Sequence, residues 1–314
     1  MPGQAITIGI DISKDHLDVA LYPGGETRRF LNARSGHTAL LRWLGKQVVA
    51  RIVFEATGPY HRDLERRLEQ AGLPFAKVNP RQARRFAEAT GKLAKTDRVD
   101  ALMLARFGVL LEPQSRPARS ENLVQLAELV AGRRILIKDR TATLNRLKTL
   151  GQELLKRHAR HRLRQIEAHL TSLNVAIDAV IAADPVLTRR LAILTSIPGL
   201  GEITAQALIA DMPELGTMDE RQTAALAGLA PITRQSGKWQ GKSFIQGGRS
   251  HLRQALYMPA LVAMRFNPDL KSRYDALVTR GKHAKVAITA VMRRLVVIAN
   301  ALLRDDRTWT PKVA

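Results

Sequence analysis

The chain has 314 residues, enough for two or three domains, and 45% of them are hydrophobic, enough to build sizeable cores. A net charge of +22 points to a polyanionic partner, most simply nucleic acid, while an aromatic content of only 4% disfavours recognition by stacking on many bases. The absence of cysteine excludes disulfides and cysteine-based zinc sites; no signal-peptide pattern and no apolar run of the ~18 residues needed for a membrane span stand out, so a cytoplasmic protein without a membrane partner is expected.

Ile6, Ile8, Ile10 and Ile12 alternate with Thr7, Gly9 and Asp11, the period of a strand. Leu17 to Tyr22 and Thr27 to Leu31 read as two further strands of a meander. A helix over 35–47 follows, then a strand from Arg51 to Ala56, a helix from Tyr60 to Ala71 and a strand from Phe75 to Val78. Another helix begins near Pro80, and a last one opens at Thr96 and closes the unit around Leu111. This order predicts a mixed sheet covered on both faces, residues 1–113. A right-handed crossover would set the Glu55 strand parallel to and beside the Asp11 strand, with both acids near the carboxyl ends of their strands. Gly9 leaves room beside Asp11 for a ligand or a backbone.

Asp97 and Asp100 stand three apart in Lys95-Thr96-Asp97-Arg98-Val99-Asp100-Ala101, so on a helix they share one face. Taken alone, Thr96 is an N-cap and the two acids suit the helix dipole. With Asp11 and Glu55 added, the four acids resemble the carboxylates of the ribonuclease H-like fold, which hold two divalent cations for phosphodiester cleavage. Oxygen ligands without His or Cys fit Mg²⁺ or Mn²⁺. Asp15 and Asp18 read as solvated neighbours.

Residues 114–120 read as a linker, and 114–184 as a helical coiled-coil region. Leu163, Ile166, Leu170, Leu173, Ile177 and Val180 form a heptad seam; Leu123, Leu126, Val130, Ile137, Leu144 and Leu147 have compatible spacing. Gly151 and the polar run from Lys156 to Arg162 would reverse the chain into an antiparallel hairpin. Residues 116–170 hold 13 Lys or Arg against 5 Asp or Glu, which is either a solvated flank or a rod facing nucleic acid. His158 and His161 read as solvated. The apolar seam predicts pairing with another helix and a dimer at least.

Residues 185–314 read as a mainly helical domain. Leu194 to Ala205 reads as helix, tight turn, helix, resembling a helix-hairpin-helix, in which Gly199 and Gly201 would offer backbone N–H groups to a phosphate. No acid lies between Arg221 and Pro268, whereas Arg234, Lys238, Lys242, Arg249 and Arg253 do, a nucleic-acid-binding pattern. Ser236, flanked by Arg234, Gly237 and Lys238, reads from spacing as a phosphate-contacting hydroxyl, with attack on phosphorus as the alternative; Ser243 and Ser250 compete for that role.

Together, Ile8-Gly9-Ile10-Asp11-Ile12-Ser13, Phe54-Glu55-Ala56-Thr57-Gly58, the Asp97/Asp100 motif, Ile197-Pro198-Gly199-Leu200-Gly201, Ser236-Gly237 and Gln246-Gly247-Gly248-Arg249 resemble the DEDD-type transposases of bacterial insertion sequences, the insertion-sequence one-ten family. The likeness covers nearly the whole chain. It implies a RuvC-like nuclease domain, a coiled coil and a C-terminal domain with a nucleophilic serine. The acids would be Asp11, Glu55, Asp97 and Asp100, and the nucleophile Ser236. It further implies a recombinase acting on donor and target DNA, guided by a structured bridge RNA, as a homo-oligomer (dimer or tetramer) whose protomers share active sites. With RNA pairing reading the sequence, the protein would hold backbones. Since its own segment offers Ser236 only cations, its loop is expected to meet the acid cluster of the same or a partner chain. Two other readings remain: a water-driven endonuclease of the junction-resolvase kind, and a non-catalytic nucleic-acid-binding scaffold.

Overall fold

The computed structural model describes residues 5–55, 58–91, 96–115, 117–237 and 239–311. The chain divides into two compact units, Met1–Arg119 and Ser120–Ala314.

In the first unit the order is β1 (Ile6–Ile12), β2 (His16–Tyr22), β3 (Thr27–Leu31), α1 (Arg34–Leu44), β4 (Val49–Glu55), α2 (Arg62–Gln70), β5 (Phe75–Val78), α3 (Pro80–Ala89) and α4 (Asp97–Leu111). The strands lie in the order β3-β2-β1-β4-β5. β1, β2 and β3 are antiparallel neighbours, and β4 and β5 run parallel to β1, the mixed sheet expected from the element order. The period of two sorts the side chains. Ile8, Ile10, Ile12, Leu17, Val19 and Phe54 point to one face and form a core with Leu40, Leu44, Leu64 and Leu68 of α1 and α2. Thr7, Gly9 and Asp11 therefore point to the other.

Helix α4 covers that second face, and its seat is a backbone contact. A Cβ at Gly9 would come within 1.9 Å of the Ala101 carbonyl oxygen and 2.4 Å of the Ala105 nitrogen. A Cβ at Gly108 would come within 2.6 Å of Thr7 and 2.7 Å of Val53. Only glycine at both positions lets strand and helix approach so closely. Arg51 fastens the far end, donating from Nη1 to the Gly108 carbonyl at 2.9 Å. The room that Gly9 leaves is taken by helix backbone.

The segment read as a linker belongs in part to this unit. The Ser115 hydroxyl accepts from the Phe75 N–H at 3.0 Å and donates to the Phe75 carbonyl at 2.7 Å, and the Ala118 N–H donates to Glu69. The two Ser115 bonds satisfy outer backbone groups of the edge strand β5, which need partners, and the third ties the segment to α2.

The second unit opens with α5 (Glu121–Thr149) and α6 (Glu153–Ala182), which pack as a helical hairpin. The chain reverses at Leu150–Gln152; the polar run from Lys156 to Arg162 is helical, a correction to its reading as part of the turn. Ile166, Leu170, Ile177 and Val180 of the seam are buried. α5 of the same chain covers them, so the seam by itself requires no second copy. On α5, Ile137 and Leu144 face outward, contrary to expectation, and Arg133 and Thr143 take buried positions. Arg133 is accommodated because Gln206 and Asn174 accept from it at 2.6 and 3.2 Å.

Then come α7 (Pro185–Thr195), α8 (Glu202–Asp211), α9 (Glu220–Leu226), the two-residue strands β6 (Pro231–Ile232), β7 (Gln235–Ser236), β8 (Trp239–Gln240) and β9 (Phe244–Ile245), and α10 (Ser250–Phe266), α11 (Pro268–Thr279) and α12 (Ala284–Arg304). Leu126, Val130, Ile177 and Ile181 of the hairpin share one core with α7, α8, α10 and α12. Thus the helical region read as separate up to residue 184 is continuous with the helices after it. α12 has the length and apolar composition of a membrane span, against the expectation that no such run exists. Ala287, Val291, Leu295 and Ala299 along it are fully buried in the core.

Candidate active site

Two groups of predicted residues lie in the two units. In the first, Asp11 and Glu55 follow the last paired positions, Ile10 and Phe54, of two parallel neighbouring strands. Asp97 and Asp100 occupy the first turn of α4, where the Thr96 hydroxyl caps the helix by accepting from the Val99 N–H at 3.4 Å. The contact of α4 with Gly9 brings that turn toward β1. Asp11 is pushed up to about 6, first by burial and then by the negative charges of Asp100, Asp97 and Asp18; a backbone N–H bond from Ile12 opposes the shift.

Asp18 corrects the expectation of a solvated side chain: it is 6% exposed. The hairpin register sets it directly opposite Asp11, on the same face of the sheet. Arg29, opposite Asp18 on β3, resolves the burial. Its Nε donates to Asp18 Oδ1 and its Nη2 to Asp18 Oδ2, both at 2.9 Å, and the same Nη2 reaches Asp97 Oδ2 at 2.9 Å. Next along α4, Arg98 donates from Nη2 and Nε to the Thr27 hydroxyl at 2.8 and 3.1 Å. Sequence reasoning missed Arg29 because its role appears only once β2 and β3 are paired; the usable signal was the shared face of Asp11, Asp18 and Arg29 in a meander.

The loops behind the two strand acids are also tied. Asn32 Nδ2 donates to the Ser13 carbonyl after β1 at 2.8 Å and to the Tyr60 carbonyl after β4 at 3.0 Å. His37 Nε2 lies 2.9 Å from Asn32 Oδ1. Burial holds the imidazole below its usual pKa; a neutral ring donating from Nε2 orients the amide with both its hydrogens toward the two loops.

By donor chemistry the acids suit a divalent cation: every ligand is a carboxylate oxygen, and a cation would relieve the crowding that raises Asp11. Among the described residues, no three His, Asp or Glu side chains are gathered closely enough to hold a metal ion. The group is an electrostatic cluster in which the Arg29 guanidinium supplies positive charge.

In the second unit Ser236 lies on an exposed ribbon. It pairs with Trp239 across the β7–β8 turn, and Ile232 pairs with Phe244 nearby. Every described residue from Pro231 to Gln240 is exposed. Among the described residues no hydrogen-bond partner meets the Ser236 hydroxyl. Arg234 lies over the Phe244 ring at 4.9 Å, and Lys242 is exposed; Lys238 lies outside the described residues. Ser243 is 3.3 Å from the Thr233 hydroxyl, and Ser250 opens α10.

Arg249 and Arg253, expected to contact nucleic acid, are engaged within the chain. Arg249 forks onto Glu214 at 2.8 and 2.7 Å. Arg253 donates to the carbonyls of Gly247 and Gly228. They pin the root of the ribbon, where Gly248, at φ 59°, lies so close to Gly228 that a Cβ would come within 2.3 Å of its nitrogen. Gly199 is likewise turned inward, against Ala263 of α10, while Gly201, the N-cap of α8, faces open space.

Residues 8–170 match a family model described as a transposase, and residues 191–275 match one described as the transposase IS116/IS110/IS902 family. The chain is 30% identical to the pilin gene-inverting protein of Moraxella bovis, over 98% of both chains, and equally to that of Moraxella lacunata. It is 31% identical to the insertion element IS110 uncharacterized 43.6 kDa protein of Streptomyces coelicolor, over 45% of this chain and 35% of that one.

Proposed function

Because the chain belongs to the IS116/IS110/IS902 family of transposases, we propose that it cuts and rejoins DNA strands with a metal-binding acid cluster and a serine nucleophile. The observation that carries the reading is the seating of α4 on Gly9, which sets its first turn, with Asp97 and Asp100, over the sheet face that carries Asp11. The mixed sheet order supports reading the first unit as a ribonuclease H-like, RuvC-like nuclease domain. Asp11, Glu55, Asp97 and Asp100 would hold Mg²⁺ or Mn²⁺, which when bound activates a nucleophile and steadies a leaving oxygen.

The residues of the chain divide the remaining work. Asn32 and His37 hold the loops behind Asp11 and Glu55. The ribbon presents Ser236 to a DNA backbone, and Arg234, Lys238 and Lys242 contact phosphates around it. Ser236 Oγ forms a bond to phosphorus as the bond from phosphorus to the leaving strand's sugar oxygen breaks. The hydroxyl proton passes to a base outside the ribbon, since no Asp or Glu lies between Arg221 and Pro268. The covalent link conserves the phosphodiester energy for rejoining. A relative named for inverting a gene supports cutting coupled to rejoining. Sequence readout by a structured guide RNA paired to donor and target DNA, which the family resemblance implies, belongs to this proposal; the strong net charge and scarce aromatics fit a protein that holds backbones. Assembly as a dimer or tetramer belongs to this proposal and takes no support from the covered seam.

Trapping on a nicked suicide DNA substrate with Mn²⁺, followed by mass spectrometry, tests it. A phosphodiester adduct is expected on Ser236, absent in Ser236→Ala and retained in Ser243→Ala. The Ser236 hydroxyl, without a partner among the described residues, favours one rival, a water-driven junction-resolving nuclease in which Ser236 binds phosphate only; metal-dependent cleavage by Ser236→Ala at the wild-type rate would establish that rival.

A further inference from the structure

The crowded acids already have a cation among them, and its bonds are unequal. Arg29 is anchored on Asp18, a carboxylate 6% exposed, by a two-point fork across the β2–β3 pair. Its single bond to Asp97 goes to a side chain 63% exposed, in the first turn of α4. A fork onto a buried carboxylate is the firmer attachment; one bond to a solvated carboxylate is the looser. This bond ties Asp97 to β3, and no three of the acids close up as a metal site among the described residues. Arg98 provides an internal comparison. It adjoins Asp97, carries the same charge, and bonds the neutral Thr27 hydroxyl.

We propose that Arg29 is a latch on Asp97: it pairs with this carboxylate and must release it, while staying on Asp18, for Asp97 to join a divalent cation. The inference rests on the reading of Asp97 as a metal ligand. A guanidinium and a divalent cation cannot both sit against one carboxylate without strong mutual repulsion, so the two compete. Arg29 is a positioning residue, acting through Asp97. Metal loading then exchanges one bond of Arg29.

The test is Mn²⁺ titration of the full-length, metal-free protein at low ionic strength, read as loss of the free-ion paramagnetic resonance signal. Wild type, R29Q, R98Q, R29K and D97N are compared, with folding checked by circular dichroism. R29Q is expected to bind Mn²⁺ about tenfold more tightly than wild type, and R98Q within about twofold of it, because Arg29 bonds Asp97 whereas Arg98 bonds Thr27. R29K keeps a cation on Asp18 but lacks the fork that spans both acids, so it also gains, by about threefold, and it serves if R29Q fails to fold. Equal affinities in R29Q and R98Q would mean that general charge alone acts, and would overturn the latch. Wild-type affinity in a folded R29K, with R29Q unfolded, would do the same. If D97N binds Mn²⁺ as wild type does, the metal-ligand reading of Asp97 falls first and takes the latch with it.

Discussion

Replacing Asp11 with Asn should stabilise the protein while abolishing its activity. Asp11 is raised from 3.8 to about 6, so the fold holds its charged form at a disadvantage. The sign follows from proton counting. Between the two values the folded chain binds more protons than the unfolded one, so stability falls as pH rises through this window and stays low above it. Each tenfold gain in proton affinity corresponds to about 1.36 kcal/mol, which bounds the penalty on the charged form at roughly 3 kcal/mol. Asp11 is only half-buried, and solvent screening reduces this to about 1–2 kcal/mol. Asn removes the charge and keeps an oxygen for the Ile12 N–H. Urea unfolding in EDTA at pH 7.5 should show the gain; for a unit of this size it corresponds to a rise in melting temperature of roughly 3–8 °C. The gain should shrink as pH falls and vanish at about pH 3, where Asp11 is protonated in both states. Asp15→Asn, at an exposed bend, should leave stability at pH 7.5 within about 0.5 kcal/mol of wild type. A variant no more stable than wild type at pH 7.5, or equally stabilised at both pH values, would refute the electrostatic account of the cluster.

Gly9→Ala should destabilise the first unit by about 2–4 kcal/mol, measured by urea unfolding, because its methyl meets the Ala101 carbonyl and the helix must move; unchanged stability would mean α4 is not seated as described. Arg249→Ala should cost about 2–3 kcal/mol by leaving partly buried Glu214 without its fork. Arg234→Ala should leave stability within ~0.5 kcal/mol and lower the salt dependence of DNA binding by about one phosphate contact; the reverse pattern would exchange the two roles. Lys at Leu170 and Ile177 should lower the melting temperature of the second unit, because both face α5 of the same chain. Loss of assembly with unchanged stability would return the seam to an intermolecular role.

The sheet was legible because its signal is local: β1 alternates strictly, and element order alone places β4 beside it. The four acids were legible as types at particular stations. What escaped was pairwise and distant. Asp18 looked solvated while β2 was read alone, and its burial follows from facing Asp11 across one hairpin and Arg29 across the next. Arg249 looked like a phosphate contact because its segment has no acid; its partner, Glu214, lies outside that segment. On α5 the apolar spacing favoured Ile137 and Leu144, yet Arg133 holds a buried position because Gln206, from a helix far along the chain, accepts from it. α12 was legible too: from Ala284 to Leu303 the sequence reads as an apolar helix that supplies core, with Arg293-Arg294 outside it, and its apolar face does lie in the core.

The seat of α4 on β1 has a consequence for mutability. Main chain meets main chain at Gly9, and Gly108 notches the helix over Thr7 and Val53. The bearing of Asp97 and Asp100 is therefore set by two missing side chains more than by any that are present. A combinatorial library over the outward positions of α4 should keep the acids in place across wide sequence variation, whereas one added methyl at either glycine displaces both together. For anyone re-engineering this protein, those two positions are the datum from which the cluster is measured, and the outward surface of the helix is open to redesign.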